Sequence, residues 1–394
     1  MRLETERLII ASRTLDEMEA VRARETDPEL QQVYREICAL MRSQPGRDEW
    51  ACDWLIARKD GTPVGGAGFK GAPDAQGDVE IGYEIFPAFR RQGYMSEALR
   101  AMCAWVLDMG ASRVLAQTLP ENQASQELLK KCGFVACGEG KEGPLFELRP
   151  VCLTWEHHGN DTLLWAQEVP GACTRGASLE EALAKMPNEL AACLAWRGEA
   201  YCPRPLRIAQ EKQSDLDIRD ADSDVLLAGE EKPLTREEYE ALKALCLRSA
   251  RDFLTLYRSI PDADASCLAP RQTFYGPLPR TARQMYEHTL GVNDYYFGEI
   301  GVETDHEGDI VSCRARGFQA LETAPDFLQN RLFSGSYGEE WTLRKVMRRF
   351  LWHDRIHARA MTRMAGRTFP ESALPDPFCL TFSGRNSPPR GEYE

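Results

Sequence analysis

Two groups of residues in this chain have types and spacings that could do chemistry. The first is Arg90-Arg91-Gln92-Gly93-Tyr94-Met95, a basic turn after the alternating run Val79–Ile85. It opens a helical pattern with Met95, Ala98, Leu99, Met102, Trp105, Val106 and Met109 on one face. A strand, a short turn and a helix N-terminus make an anion site, because first-turn N–H groups lack acceptors and the helix dipole is positive there. Gly93 allows close backbone approach, and Arg90 and Arg91 add planar cations suited to phosphate. In the preceding run Glu80 and Glu84 share one face, since even spacing is same-sided in a strand. Either carboxylate could act as a general base.

The second group is made of histidines. His353 and His357 are four residues apart, so their imidazoles project from adjacent turns of one helix face. His288 falls in register with Met285, Val292 and Tyr295 on another helical pattern and points inward with them. Three neutral imidazoles from two packed helices suit one divalent ion with open positions left over. Taken alone, Glu80 could equally be an exposed strand residue or pair with an arginine, and histidines in a bundle are often hydrogen-bonded core residues. His157 and His158 are strand neighbours facing opposite ways, and His306 lies in a polar loop; neither makes a site.

At the basic turn the chain resembles the GNAT (RimJ/RimL-like) N-acetyltransferase superfamily, whose (Arg/Gln)-x-x-Gly-x-(Gly/Ala) turn is matched by Arg90 to Met95. A second block, Asn122-Gln-Ala-Ser125 through Gly133-Phe134, looks like that family's Asn-x-x-Ser…Gly-Phe helix. The resemblance covers roughly residues 1–148 and implies acetyl-CoA as cosubstrate. It places the cofactor against Ile85, Arg90, Arg91, Gln92, Gly93, Tyr94, Met95 and Ser96, with Asn122 bonding the pantetheine arm. It makes Glu80, of the Glu-Ile-Gly-Tyr run, the general base, and Ser125 the group that hands a proton to the leaving thiolate. The acceptor would be a primary amine, on a small molecule or a peptide N-terminus, attacking directly without a covalent enzyme intermediate. Cys132 has no histidine nearby in sequence and is a poor nucleophile candidate. Met95 departs from the small residue usual at its position. It either narrows the diphosphate seat or turns into the core.

Two further resemblances follow. Gly171 to Leu183 is similar to the HicB-like small α/β module, and Pro279 to Met364 resembles the DinB-like helical bundles. The latter implies a metal at His288, His353 and His357, with zinc, nickel or iron as the candidates. Asp354, Arg355 and Trp352 would then orient the site or pack beside it.

These motifs set the elements that must carry them. The sequence predicts a β-α-α-β-β-β-α-β-α-β order over the first domain, residues 1–149, an α/β (α+β) GNAT fold. Residues 150–233 form the small α/β module, with strands at 151–157 and 162–169 and further strands at 206–210 and 225–230. Residues 234–368 form an all-α four-helix bundle, its first two helices capped by Thr235 with Glu238 and Thr281 with Gln284. Its third helix spans 318–333, interrupted at Pro325, and its fourth spans 341–364. The tail, 369–394, is rich in Pro, Ser and Gly.

Length and composition bound the rest. At 394 residues the chain exceeds one ordinary core. No apolar run approaches the ~20 residues of a bilayer span, and Met1 to Ile10 lacks the pattern of a signal peptide. Thirteen cysteines without a CxxC pair fit reduced thiols, so the sequence predicts a cytoplasmic protein. A net charge of −13 argues against nucleic acid or anionic membrane as partners, and is compatible with cationic amines. An oligomer is compatible with the sequence. Two other readings stay open: a metal-dependent DinB-like thiol transferase or hydrolase, and a non-catalytic ligand- or partner-binding module that directs the acetyltransferase.

Overall fold

A computed structural model of the chain describes residues 1–43, 45–273 and 276–381. The part of the expected tail from 382 to 394 lies outside the described residues. The chain divides into two units, Met1–Val151 with Cys202–Arg207, and Cys152–Tyr201 with the chain from Ile208 onward. The segment expected as a small α/β module and the helices after it thus belong to one unit.

In the first unit, β1 (Arg2–Glu4) and β2 (Leu8–Ser12) precede the helices α1 (Leu15–Arg24) and α2 (Pro28–Ser43). Then come β3 (Asp53–Arg58), β4 (Pro63–Phe69), β5 (Asp78–Ile85), α3 (Tyr94–Asp108), β6 (Arg113–Gln117), α4 (Gln123–Lys131), β7 (Val135–Glu139) and β8 (Pro144–Leu148). The strands join in one sheet of order β1-β2-β3-β4-β5-β6-β8-β7. All pairs are antiparallel except β5 with β6, which are parallel because α3 carries the chain back between them. The β5–β6 rungs run only from Asp78↔Arg113 to Glu80↔Leu115. From Ile81 onward β5 pairs with β4 alone, so the sheet splays beside its C-terminal half. Arg113 anchors the joined end of the pair: its Nε and NH2 each bond Asp78 at 2.6 Å and its NH1 bonds Glu147 at 2.7 Å. The core is apolar, with Trp50, Trp54, Phe69 and Trp105 packed in tilted and edge-on pairs at ring separations of 4.9–6.3 Å.

In the second unit, β9 (Val151–His158), β10 (Asp161–Ala166) and β11 (Cys173–Gly176) are followed by α5 (Leu179–Arg197) and β12 (Leu206–Gln213). They form a sheet of order β11-β10-β9-β12. The helices α6 (Arg236–Arg258), α7 (Ala282–Gly298), α8 (Ile310–Leu321) and α9 (Leu343–Thr368) pack together, with α9 against α6 and α7. Thr235 with Glu238 and Thr281 with Gln284 make reciprocal capping boxes at the starts of α6 and α7. At the centre, Arg314 of α8 bonds Asp354 of α9, with NH2 to Oδ1 at 3.0 Å, and Asn293 of α7 at 2.9 Å. Neither member of that ion pair is exposed.

Several elements differ from the sequence expectation. Arg2–Glu4 and Pro144–Leu148 are strands, the second lying between β6 and β7. A five-residue alternation that starts with proline is too short to be read from pattern alone. The run 225–230 is a turn: Glu230 accepts the Leu227 N–H at 2.8 Å and closes it, while Val225 and Leu227 are still buried. The third bundle helix begins at Ile310, because Asp309 caps the N–H groups of Val311 and Ser312, and it ends before Pro325.

Candidate functional site

The basic turn is built from a 3-10 turn at Pro87–Phe89 and a helix start at Gly93. Gly93 has φ +82° and Arg91 φ +59°, both left-handed, and together they swing the backbone so that α3 begins without a side-chain cap. The N–H groups of residues 91–96 have no acceptor among the described residues. Met95 is buried in the core, its side chain turned away from that row of donors. Ser96 is buried too, while Arg90, Arg91 and Gln92 are exposed or nearly so.

Arg7, in the loop between β1 and β2, braces this turn. Its NH1 donates to Gln92 O at 3.1 Å, its Nε to Glu97 Oε2 at 2.6 Å, and its guanidinium stacks over the Tyr94 ring at 4.8 Å. Glu97 Oε1 also accepts from Thr5 at 2.5 Å and from the Arg7 N–H at 2.9 Å. Partial desolvation would raise the Glu97 carboxyl, but the Thr5 and Arg7 bonds outweigh it and hold the group below its ordinary value. Arg7 and Tyr94 also line a cavity of about 380 Å³ with Arg58, Lys59 and Asp60.

Glu80 stands on the last rung shared by β5 and β6. Its Oε1 lies 2.6 Å from Lys70 Nζ and 2.8 Å from Gln117 Nε2, and its side chain is 23% exposed. The partner is therefore a lysine, which the hairpin register places opposite: Phe69 pairs with Ile81, and the Lys70 N–H bonds Glu80 O at 2.9 Å. Glu84 lies further along the same face, exposed, opposite Gly66. Asp53 of β3 reaches over that glycine, and a Cβ at position 66 would sit 2.7 Å from Asp53 Oδ1. Burial pushes the Asp53 carboxyl up to about 6, against the pull of Arg13 and with help from Glu84. A Cβ at Gly82 would meet nothing within 4 Å, so this face of the sheet is open at that rung, with the Glu80 and Glu84 carboxylates on either side of it along β5.

On the opposite face of β5, Tyr83 Oη is 2.8 Å from Ser125 Oγ in the first turn of α4. Asn122 is the N-cap of that helix, and its Oδ1 accepts the Ser125 N–H at 3.2 Å. Cys132 is buried and its thiol is pushed up by desolvation, which leaves it protonated. Sequence reasoning passed over Lys70, Tyr83 and Asp53. Strand alternation places Tyr83 inward, and counting out the hairpins would have found the other two.

In the second unit, α7 and α9 bring His288, His353 and His357 together, with one nitrogen from each within 4.8 Å of the others. His288 Nε2 is 3.2 Å from His353 Nε2, and the rings are 4.4–5.0 Å apart. Desolvation drives all three below their ordinary values, His357 to about 3, so neutral imidazoles converge here. His288 is exposed and opens the cluster to solvent, whereas His353 is buried. The donor set fits a divalent ion with open positions, although His353 Nδ1 has no partner among the described residues and so lacks the usual second anchor. The flanking residues are engaged elsewhere: Asp354 with Arg314, Arg355 with Glu189 at 3.0 Å, and Trp352 against Trp165 at 5.2 Å. His157 bonds Glu211 at 3.1 Å, His158 bonds Leu216 O at 3.0 Å, and His306 lies 3.5 Å from Asp294. Among the described residues no helix is long and apolar enough to cross a membrane.

A family model described as acetyltransferase (GNAT) domain matches residues 6–135. YjdG of Bacillus subtilis, named as an uncharacterized N-acetyltransferase, is 38% identical over 104 residues, 26% of this chain. The chain spans 60% of that relative's length. YoaA of the same organism, also named as an uncharacterized N-acetyltransferase, is 30% identical over a match covering 34% of this chain and 81% of YoaA. A GNAT-family acetyltransferase from Bacillus anthracis is similar in structure, with 22% identity and a TM-score of 0.30, covering 38% of this chain and 98% of that one.

Proposed function

Since the chain belongs, through its N-terminal unit, to the GNAT family of N-acetyltransferases, we propose that it moves the acetyl group of acetyl-CoA to a primary amine by direct attack. The observation that carries this reading is the row of unbonded N–H groups from 91 to 96, beside a sheet that opens just past Glu80. Those donors, at the positive end of α3, bind the diphosphate. The pantetheine arm enters the splay between β5 and β6, passing Ile85 and Asn122. Glu80, oriented by Lys70 and Gln117, accepts the proton from the attacking nitrogen, directly or through water. The carboxylates of Asp53 and Glu84, near the open Gly82 position, suit an acceptor that arrives as an ammonium ion. The test is twofold: acetyl-CoA should raise the unfolding temperature, and thiol release from acetyl-CoA should depend on an amine from a panel of aminosugars, polyamines and peptide N-termini. A chain that neither binds acetyl-CoA nor turns it over would refute the reading.

A second reading concerns the second unit, and it rests on the convergence of His288, His353 and His357. These residues would hold one divalent ion of zinc, nickel or iron, as in DinB-like bundles. Bound there, the ion would supply a Lewis acid or an activated water or thiol. The preceding α/β segment would be a HicB-like ligand- or partner-binding module. Metal analysis of the purified chain tests the site.

A further inference from the structure

Ser125 and Tyr83 are two hydroxyls sharing one hydrogen bond, at 2.8 Å, in the half of β5 that pairs with β4 alone. Two hydroxyl hydrogens are present and one bond consumes only one of them. Ser125 is fixed from its backbone side by the Asn122 carbonyl oxygen, and Tyr83 is held in the core around α3, so neither oxygen can drift. Burial pushes the Tyr83 phenol up to about 12, so at neutral pH it keeps its hydrogen and can donate it. The Tyr83 oxygen has no acceptor other than Ser125 among the described residues.

We propose that Tyr83 is a positioning residue for acetyl transfer: it donates to Ser125 Oγ and leaves the serine hydrogen free for the departing sulfur of coenzyme A. This rests on the acetyl-transfer reading above. When the tetrahedral adduct collapses, the carbon–sulfur bond breaks and its electron pair goes to sulfur. The sulfur takes the Ser125 hydrogen, Ser125 Oγ takes that of Tyr83, and the phenolate is refilled from water. The proton lost by the amine returns to water by way of Glu80, so the protons balance. A serine that gave up its hydrogen alone would be left as an alkoxide, and the phenol behind it, the stronger acid of the two even when buried, spares it that state. The pairing therefore gives Ser125 a proton-donating role that its own acidity would not support.

The test compares Tyr83→Phe, Ser125→Ala and the double variant in steady-state release of thiol from acetyl-CoA, with the best amine of the panel. Tyr83→Phe keeps the ring and should retain the thermal unfolding temperature and the KM for acetyl-CoA within about twofold, while kcat falls roughly tenfold. Ser125→Ala should fall at least as far, and the double variant no further than Ser125→Ala, because the two act as one unit. Ser125→Thr, which keeps a hydroxyl, should recover part of the rate. An unchanged kcat in Tyr83→Phe, or a double variant whose loss is the product of the single losses, overturns the proposal while leaving acetyl transfer intact. A wild-type chain that releases no thiol with any amine removes the acetyl-transfer reading itself, and this role with it.

Discussion

Lys70 Nζ lies 2.6 Å from Glu80 Oε1, and the same oxygen accepts the Gln117 amide at 2.8 Å. One carboxylate oxygen is thus saturated from two sides, while Oε2 makes no hydrogen bond among the described residues. A base held in this way presents one lone-pair face in a fixed direction. Glu80→Gln should lower kcat by about 100-fold or more while leaving the acetyl-CoA thermal shift in place. An activity within a few-fold of wild type would show that Glu80 only pairs with Lys70.

Gly93→Asp should abolish the thermal shift produced by acetyl-CoA. It sets a carboxylate against the proposed diphosphate seat at a position whose φ of +82° already disfavours a side chain. Gly93→Ala separates the two effects. It should cost about 1 kcal/mol of stability from backbone strain yet keep a measurable shift. Differential scanning fluorimetry with and without acetyl-CoA reads both.

Asp53 predicts a pH signature. Its folded value is about 6 against an ordinary 3.8, so between those values the native state holds more protons than the unfolded chain. Stability then falls as pH rises through the window from about 4 to about 6, and levels off above it. The expected loss is about 3 kcal/mol. Denaturant melts of wild type and Asp53→Asn across that range should diverge, with the variant's curve flatter.

Removing one histidine should empty the proposed metal site. Purified wild type should carry about one divalent ion per chain, and His353→Ala none. A saturating metal at 100 times its Kd should stabilise the chelated wild type by about 2.7 kcal/mol and leave the variant's unfolding temperature unmoved. Elemental analysis beside a thermal melt makes the measurement.

Asp354→Ala should destabilise the second unit by about 3–5 kcal/mol, because it strands a fully buried guanidinium at Arg314. Replacing both partners with apolar residues of similar volume should be much milder. Equilibrium unfolding of the single and double variants distinguishes the two.

What could be read from the chain follows the range of the interaction. Capping boxes at Thr235 and Thr281 and the one-face spacing of His353 and His357 are contacts within a turn or two of helix, so pattern alone exposes them. The start of α3 at Gly93 is local in the same sense. Lys70 with Glu80, Tyr83 with Ser125 and Asp53 over Gly66 join residues on different elements, and each depends on strand register and on which face a strand turns. Val225 and Leu227 show the converse. Their alternation mimics a strand, and only the Glu230 side chain closing the turn reveals otherwise. Pro144–Leu148 became a strand because β6 and β7 left a gap between them, a fact of topology and not of its five residues.

The tie from Thr5 and Arg7 to Glu97 has a consequence for how cofactor affinity can be lost. Glu97 sits one turn inside the helix whose front end is the proposed seat of two phosphates, and among the described residues Thr5 and Arg7 alone mask its charge. Clipping the chain just after Arg7, or prying that segment loose with a bulky fusion, would uncover a repellent directly behind the seat and remove the Arg7 brace on Gln92 and Tyr94. Part of any weakened nucleotide binding in such a truncation would then come from an unmasked anion, and adding salt would restore that part.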